Sequence, residues 1–152
     1  MKKIGLFLIA SLIMTMVLTG CADADESIAA DAVSIYEAYG DAVVITERFF
    51  VNQIMEVFMN HEIYLGRLIQ YEGMFYDLGQ GSDDFFAVIR YTFGCCGVDG
   101  RIGFQVVLDD FQPLPDDTWV EVSGILEMND GFLMLRVVAL SEKDERGSEV
   151  VT

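Results

Sequence analysis

The stretch FFAVIRYTFGCCGVDGRIGFQVVLD, Phe85–Asp109, decides how this chain folds. Its flanks, Phe85–Phe93 and Arg101–Asp109, are rich in Phe, Val, Ile and Tyr and repeat with a period near two, which predicts two strands. Between them GCCGVDG, residues 94–100, places three glycines around two adjacent cysteines and predicts a tight, irregular reversal. The segment therefore reads as a β-hairpin with an unusual corner.

The period-two pattern continues on both sides. Leu68–Leu78 alternates loosely and carries Gly73 as a bend or bulge, and GQGSDD (79–84) is a turn. After the loop DFQPLPDD (110–117), which holds both prolines, Thr118–Asp130 predicts a long strand with Gly124 inside it. An Asn-Asp-Gly turn leads into a last strand over Gly131–Lys143. Only upstream does the period change. Val43–Ile45 is a short strand, and Thr46–Asn60 predicts a helix with Thr46 as N-cap, Glu47 in its first turn and Asn60 as its stop. Phe50, Ile54, Val57 and Phe58 form the buried face of that helix. Five strands at short spacing, with glycines inside the first and fourth, suit a mainly β fold: a small, highly curved, five-stranded OB-like barrel preceded by one α-helix. An OB-fold usually carries its helix between the third and fourth strands, where this chain has only the loop 110–117.

The first twenty residues lie outside this domain. Lys2 and Lys3 follow the initiating Met, a largely apolar run of fifteen residues spans Ile4–Leu18, and its last residue opens Leu-Thr-Gly-Cys (18–21). A basic start, an apolar centre and a small-residue cleavage site describe a secretory signal, and Leu-Thr-Gly-Cys resembles the bacterial lipobox. The sequence predicts a lipoprotein signal peptide over 1–20, lipid modification on Cys21, an acidic linker over 21–42, the barrel domain over 43–143 and a flexible tail over 144–152. The expected address is the extracytoplasmic face of a bacterial cell membrane, through the lipid anchor.

Removing residues 1–20 leaves seven basic against twenty-five acidic residues, a net charge of −18. Such a chain is repelled by nucleic acid and by anionic lipid, which argues against binding either of them by charge. A single histidine, no nucleophile elbow, no phosphate loop and no dinucleotide fingerprint leave catalysis without support, and no enzyme activity is expected.

Three segments together resemble the C-terminal domain of YcgQ-like proteins: VVITERFFVNQIMEVFMNHEIYLGRLIQYEGMF, FAVIRYTFGCCGVDGRIGFQV and DTWVEVSGIL. The similarity spans about Val43 to Leu140, and the run of strand, Cys-Cys and strand is its most specific part. Members are typically encoded beside a multi-spanning permease, so the resemblance implies a permease as partner. They also carry an N-terminal membrane region, where this chain has a lipobox and a short linker.

The Cys95–Cys96 corner leaves three readings open. Cys95, Cys96 and Asp99, joined by His61, would make an acceptable zinc set, and the resemblance to members with zinc-linked gene neighbours points the same way. Adjacent cysteines outside the cytoplasm would also form a strained, switch-like disulfide. Alternatively the pair is packing in a turn shaped by Gly94, Gly97 and Gly100. Tyr71, Tyr76 and Tyr91 are either a binding face or core, and Trp119 is core or barrel rim. Arg90 and Arg101, on either side of the corner, are expected as solvated strand ends that can pair with Asp99 or lower a thiol pKa.

Overall fold

The computed structural model describes residues 40–79, 85–95 and 97–152. The signal peptide, Cys21, nearly all of the linker, most of the turn 79–84 and Cys96 lie outside the described residues. Seven strands form in chain order: β1 Val43–Val44, β2 Leu68–Asp77, β3 Phe86–Gly94, β4 Gly97–Val107, β5 Thr118–Asn129, β6 Phe132–Glu142 and β7 Val150–Val151. One α-helix, α1, spans Phe50–Met59.

Strands β2–β5–β6–β4–β3 lie side by side, and β3 returns to β2, so five strands close into a barrel. Every barrel pairing is antiparallel except β4 with β6, which is parallel through Gln105–Met134 to Val107–Arg136. This is the OB-like Greek-key barrel that the strand spacing predicts. Its curvature is built at glycines. At Gly124 the β5–β6 register shifts, and a Cβ there would sit 2.8 Å from Leu135 Cβ. At Gly73, where β2 begins to pair with β3, it would sit 2.8 Å from the Ile89 carbonyl oxygen. Asp130 and Gly131 both adopt positive φ between Asn129 and Phe132, the two-residue hairpin turn that right-handed strand twist favours.

The helix differs in its start. Thr46 was expected to cap it, but its side chain makes no capping bond. Both the Thr46 amide and hydroxyl donate to Gln53 Oε1, whose own Nε2 donates back to the Val44 carbonyl. Residues Glu47–Phe49 form a 3-10 turn, and α1 begins at Phe50. Phe50, Ile54 and Val57, spaced four and three apart, are its buried side chains. They join Tyr71, Phe75, Val88, Phe104, Val122, Leu126 and Leu135 in one core, each large apolar side chain contributing about 1.5–3 kcal/mol by leaving water. The helix thus plugs one end of the barrel. The β4–β5 link stays a loop, pinned by the Asp117 amide to the Phe75 carbonyl and by Asp116 Oδ1, which accepts from the Asp77 amide.

The expected tail is a correction. Residues 144–152 are not a free end: Val150 and Val151 pair in parallel with Tyr91 and Thr92 of β3, and Val151 is buried in the core. A strand edge left open where β3 parts from β2 draws in this short segment, because unpaired backbone groups and an apolar Val find partners there.

Candidate functional site

The β3–β4 hairpin carries the cysteine corner at its tip. Its pairing runs through Thr92–Gly100, shifts by one residue, and ends with Gly94 opposite Gly97. Positions 95 and 96 alone separate the strands, so the reversal is shorter than the seven-residue interruption read from the sequence. Phe93 faces two residues, Val98 and Asp99, at a bulge. Gly97 holds φ +127°, and a Cβ on Gly100 would lie 2.7 Å from Thr92 Cγ2. Cys95 is exposed, and so are Phe93 and Val98 beside it, which makes the tip an apolar finger.

Of the proposed zinc donors, His61 does not lie at this tip. His61 follows α1, and its Nδ1 lies 3.2 Å from the Phe58 carbonyl oxygen. The Phe58 ring stacks on Phe104 at 5.0 Å. Phe104 stands seven residues along β4 from Gly97, about 23 Å of extended strand. Phe50, at the start of α1, lies against Arg90, so the helix runs away from the tip and takes His61 with it. Among the described residues no group of three His, Cys, Asp or Glu side chains is placed to hold a metal. Cys96 lies outside the described residues, and Asp99 belongs to β4. Arg101 stacks over the Tyr76 ring at 5.7 Å.

The most constructed polar site lies elsewhere, at the barrel seam. There β2 pairs with β1 near its start and with β3 only near its end, and the gap between is filled by Arg90. Expected as a solvated strand end, Arg90 is instead 2 % exposed. Its Nε donates to the Glu72 carbonyl at 2.8 Å, and one terminal nitrogen donates to Glu47 Oε2 at 3.2 Å and to the Ser148 carbonyl at 3.1 Å. The guanidinium sits 4.7 Å from the Phe50 ring and 4.8 Å from Trp119, a planar cation between two aromatic faces. Burial lowers its pKa while the Glu47 carboxylate opposes that shift. A cleft of about 240 Å³ opens beside it, lined by Thr46, Glu47, Gln70, Glu72 and Glu121 among others. Glu72 accepts from Trp119 Nε1 and, like Glu121, faces Lys143. One signal in the sequence pointed here: Arg90 falls on the same alternating face as Phe86 and Val88, both core residues. Its partners Glu47 and Ser148 are 43 and 58 residues away, and no local pattern joins them.

Two carboxylates tie the tail to this site. The Ser148 amide, joined by Arg90, holds Glu47 below its usual range, and Arg146, with the Tyr76 hydroxyl, does the same for Asp117. A depressed folded-state pKa stabilises fully above the ordinary value and is lost as pH falls through the lowered one. Residues 148–151 will therefore lose amide protection below about pH 4 before the barrel strands do, once intrinsic exchange rates are corrected for. Tail and barrel opening together would contradict this.

The tyrosines divide. Tyr71 is buried core; its hydroxyl donates to the Val88 carbonyl at 2.7 Å and accepts from the Phe104 amide at 3.1 Å, and burial raises its pKa. Tyr76 and Tyr91 share a hydroxyl–hydroxyl bond of 2.9 Å on the outer surface, which with burial raises the Tyr76 pKa. Trp119 is core, buried under Arg90 and Arg146.

A single closed OB-like barrel, plugged by a preceding helix and sealed by a buried arginine, defines the class of protein: a small β-barrel domain. The chain belongs to the DUF1980 C-terminal domain family, which it matches over residues 22–144, in keeping with the YcgQ-like resemblance and wider than the 43–140 span that carries it. No curated protein and no solved structure matches the chain.

Proposed function

We propose that this protein is a lipid-anchored, extracytoplasmic accessory module, held to the bacterial cell membrane by Cys21 and serving as partner of a multi-spanning permease without catalytic activity of its own. The observation that carries the reading is Leu-Thr-Gly-Cys at 18–21, after a basic and apolar leader, with the family match starting at the very next residue. No helix of the described residues is long and apolar enough to cross a membrane, so the lipid would supply the attachment. The partner contact is assigned to the hairpin tip, where Phe93 and Val98 present apolar surface.

Expressed in a lipoprotein-processing bacterium, the wild-type chain will fractionate with membranes and carry an acyl mass on Cys21. Cys21→Ser will move most of the protein to the soluble fraction. Membrane retention of Cys21→Ser would sink the anchor, and crosslinked membranes with no multi-spanning protein enriched would sink the permease contact.

The exposure of Cys95 at the tip supports a second reading, a metal- or thiol-responsive corner formed by Cys95 and Cys96. Intact mass of the native protein separates its forms. Bound zinc with both thiols reduced supports capture, a loss of about two mass units supports the disulfide, and neither leaves the corner as packing.

A further inference from the structure

The barrel has two unlike ends. At the end where β2 and β4 finish and β5 begins, the ends of strands and loops carry Asp77, Asp109, Asp110, Asp116, Asp117 and Glu142. At the other end, where β2 starts and the β5–β6 hairpin turns, large apolar side chains face outward. Met59 is 75 % exposed, Ile63 65 % and Phe132 68 %, with Leu65 and Met128 beside them. Backbone bonds bring these segments together: the Gly66 amide donates to the Leu126 carbonyl and the Leu126 amide to the Arg67 carbonyl. The loop 61–67 therefore lies against β5 two residues before Met128. The charges around this end include Glu56, Glu62, Arg67, Arg101, Asp130 and Glu127, the last ion-paired with Arg136.

The chain also enters the domain at this end. Val43 pairs with Ile69, one residue from the start of β2 and two from Arg67. Cys21 lies twenty-two residues before Val43, a stretch that spans at most about 75 Å. A barrel tethered that closely meets the surface at high effective concentration, so a modest apolar contact suffices to orient it. Charge sets the same orientation. With the acidic cluster turned away, the net negative domain keeps its carboxylates from the negative surface potential of a bilayer.

We infer that the end bearing Met59, Ile63, Leu65, Met128 and Phe132 seats on the lipid bilayer itself, with these side chains in the headgroup–acyl boundary. This rests on the lipid-anchor reading of Cys21. The occupant is lipid.

The test uses the full chain, processed in a lipoprotein-competent bacterium and reconstituted into phosphatidylcholine vesicles, with or without bromine at carbons 6 and 7 of one acyl chain. Wild-type protein supplies the baseline, because Trp119 is buried and its emission will not respond to bromine. Phe132→Trp will add emission that brominated lipid reduces at least twofold, and Ile63→Trp, made separately, will do the same. Protein that floats with the vesicles while neither added tryptophan is quenched overturns the docking and leaves the anchor standing. Protein that does not float overturns both. Added tryptophans that are blue-shifted yet unquenched overturn it in favour of a second copy or a protein partner covering this end.

Discussion

Replacing Arg90 by alanine will lower stability by about 3–4 kcal/mol, read as a shift of the urea midpoint at constant slope. The side chain fills the stretch of the seam where β2 pairs with neither β1 nor β3, and five elements converge on it. Truncation removes donors from the Glu72 and Ser148 carbonyls, each costing about 1–3 kcal/mol where water cannot replace them. It also leaves a void between the Phe50 and Trp119 rings. The open cleft lets water reach part of the site, which keeps the loss below the sum of these costs. Arg90→Lys will not rescue it. An ammonium is a compact charge that can neither stack as a plane between two rings nor present the same fork to three acceptors. Its partner Glu47 is half exposed, so Glu47→Gln will cost less than about 1 kcal/mol. An Arg90→Ala loss under 1 kcal/mol would show that the guanidinium only occupies the seam and does not hold it.

The same residue marks where the sequence stopped being legible. Strand positions were readable because each strand has one face toward the core, and alternation reports that directly. Phe86–Gly94, Thr118–Asn129 and Phe132–Glu142 fall within about a residue of their expected bounds. The curvature was readable in part: Gly73 and Gly124 are points of close strand approach, while the closest of all, at Gly103, carries no signal in the alternation. What failed was the polar chemistry. Arg90 was read by residue type, as a solvated end, although its place in the alternation put it inside. The helix start was read by local capping rules, but Glu47 is drawn toward Arg90 and Ser148 and Thr46 toward Gln53, so long-range bonds replaced the local cap. The tail was read by composition as frayed, and two valines at its end found an open strand edge. His61 was grouped with the cysteine corner by ligand chemistry alone, and the length of β4 separates it from Cys95. Apart from the Thr46–Gln53 bond, which joins residues seven apart, these misses concern partners separated by tens of residues, for which a single sequence carries no pairing signal.

Gly103→Ala will be the most damaging small substitution in the barrel, costing on the order of 4 kcal/mol and lowering Tm by about 15 °C or more. Gly103 holds φ +154°, and an added Cβ would stand 2.1 Å from the Val88 carbonyl oxygen and 2.9 Å from Ile89 Cα. Both obstacles are backbone, so no rotamer change relieves them, and β4 must lift from β3. That movement falls where the ladder is bridged by a side chain: the Tyr71 hydroxyl sits between the Val88 carbonyl and the Phe104 amide. Lifting β4 breaks the second of these bonds inside the core and leaves a buried amide unpaired, so steric and polar costs add. Gly131→Ala, at φ +85° with open space around it, supplies the comparison and will cost about 1 kcal/mol. Coupling with Tyr71→Phe discriminates the cause. If Gly103→Ala acts by breaking the hydroxyl bridge, the double variant will lose clearly less than the two single losses combined. Strict additivity would place the whole cost in the clash and none in the bridge, and a loss under 1 kcal/mol would mean the two strands part here without resistance.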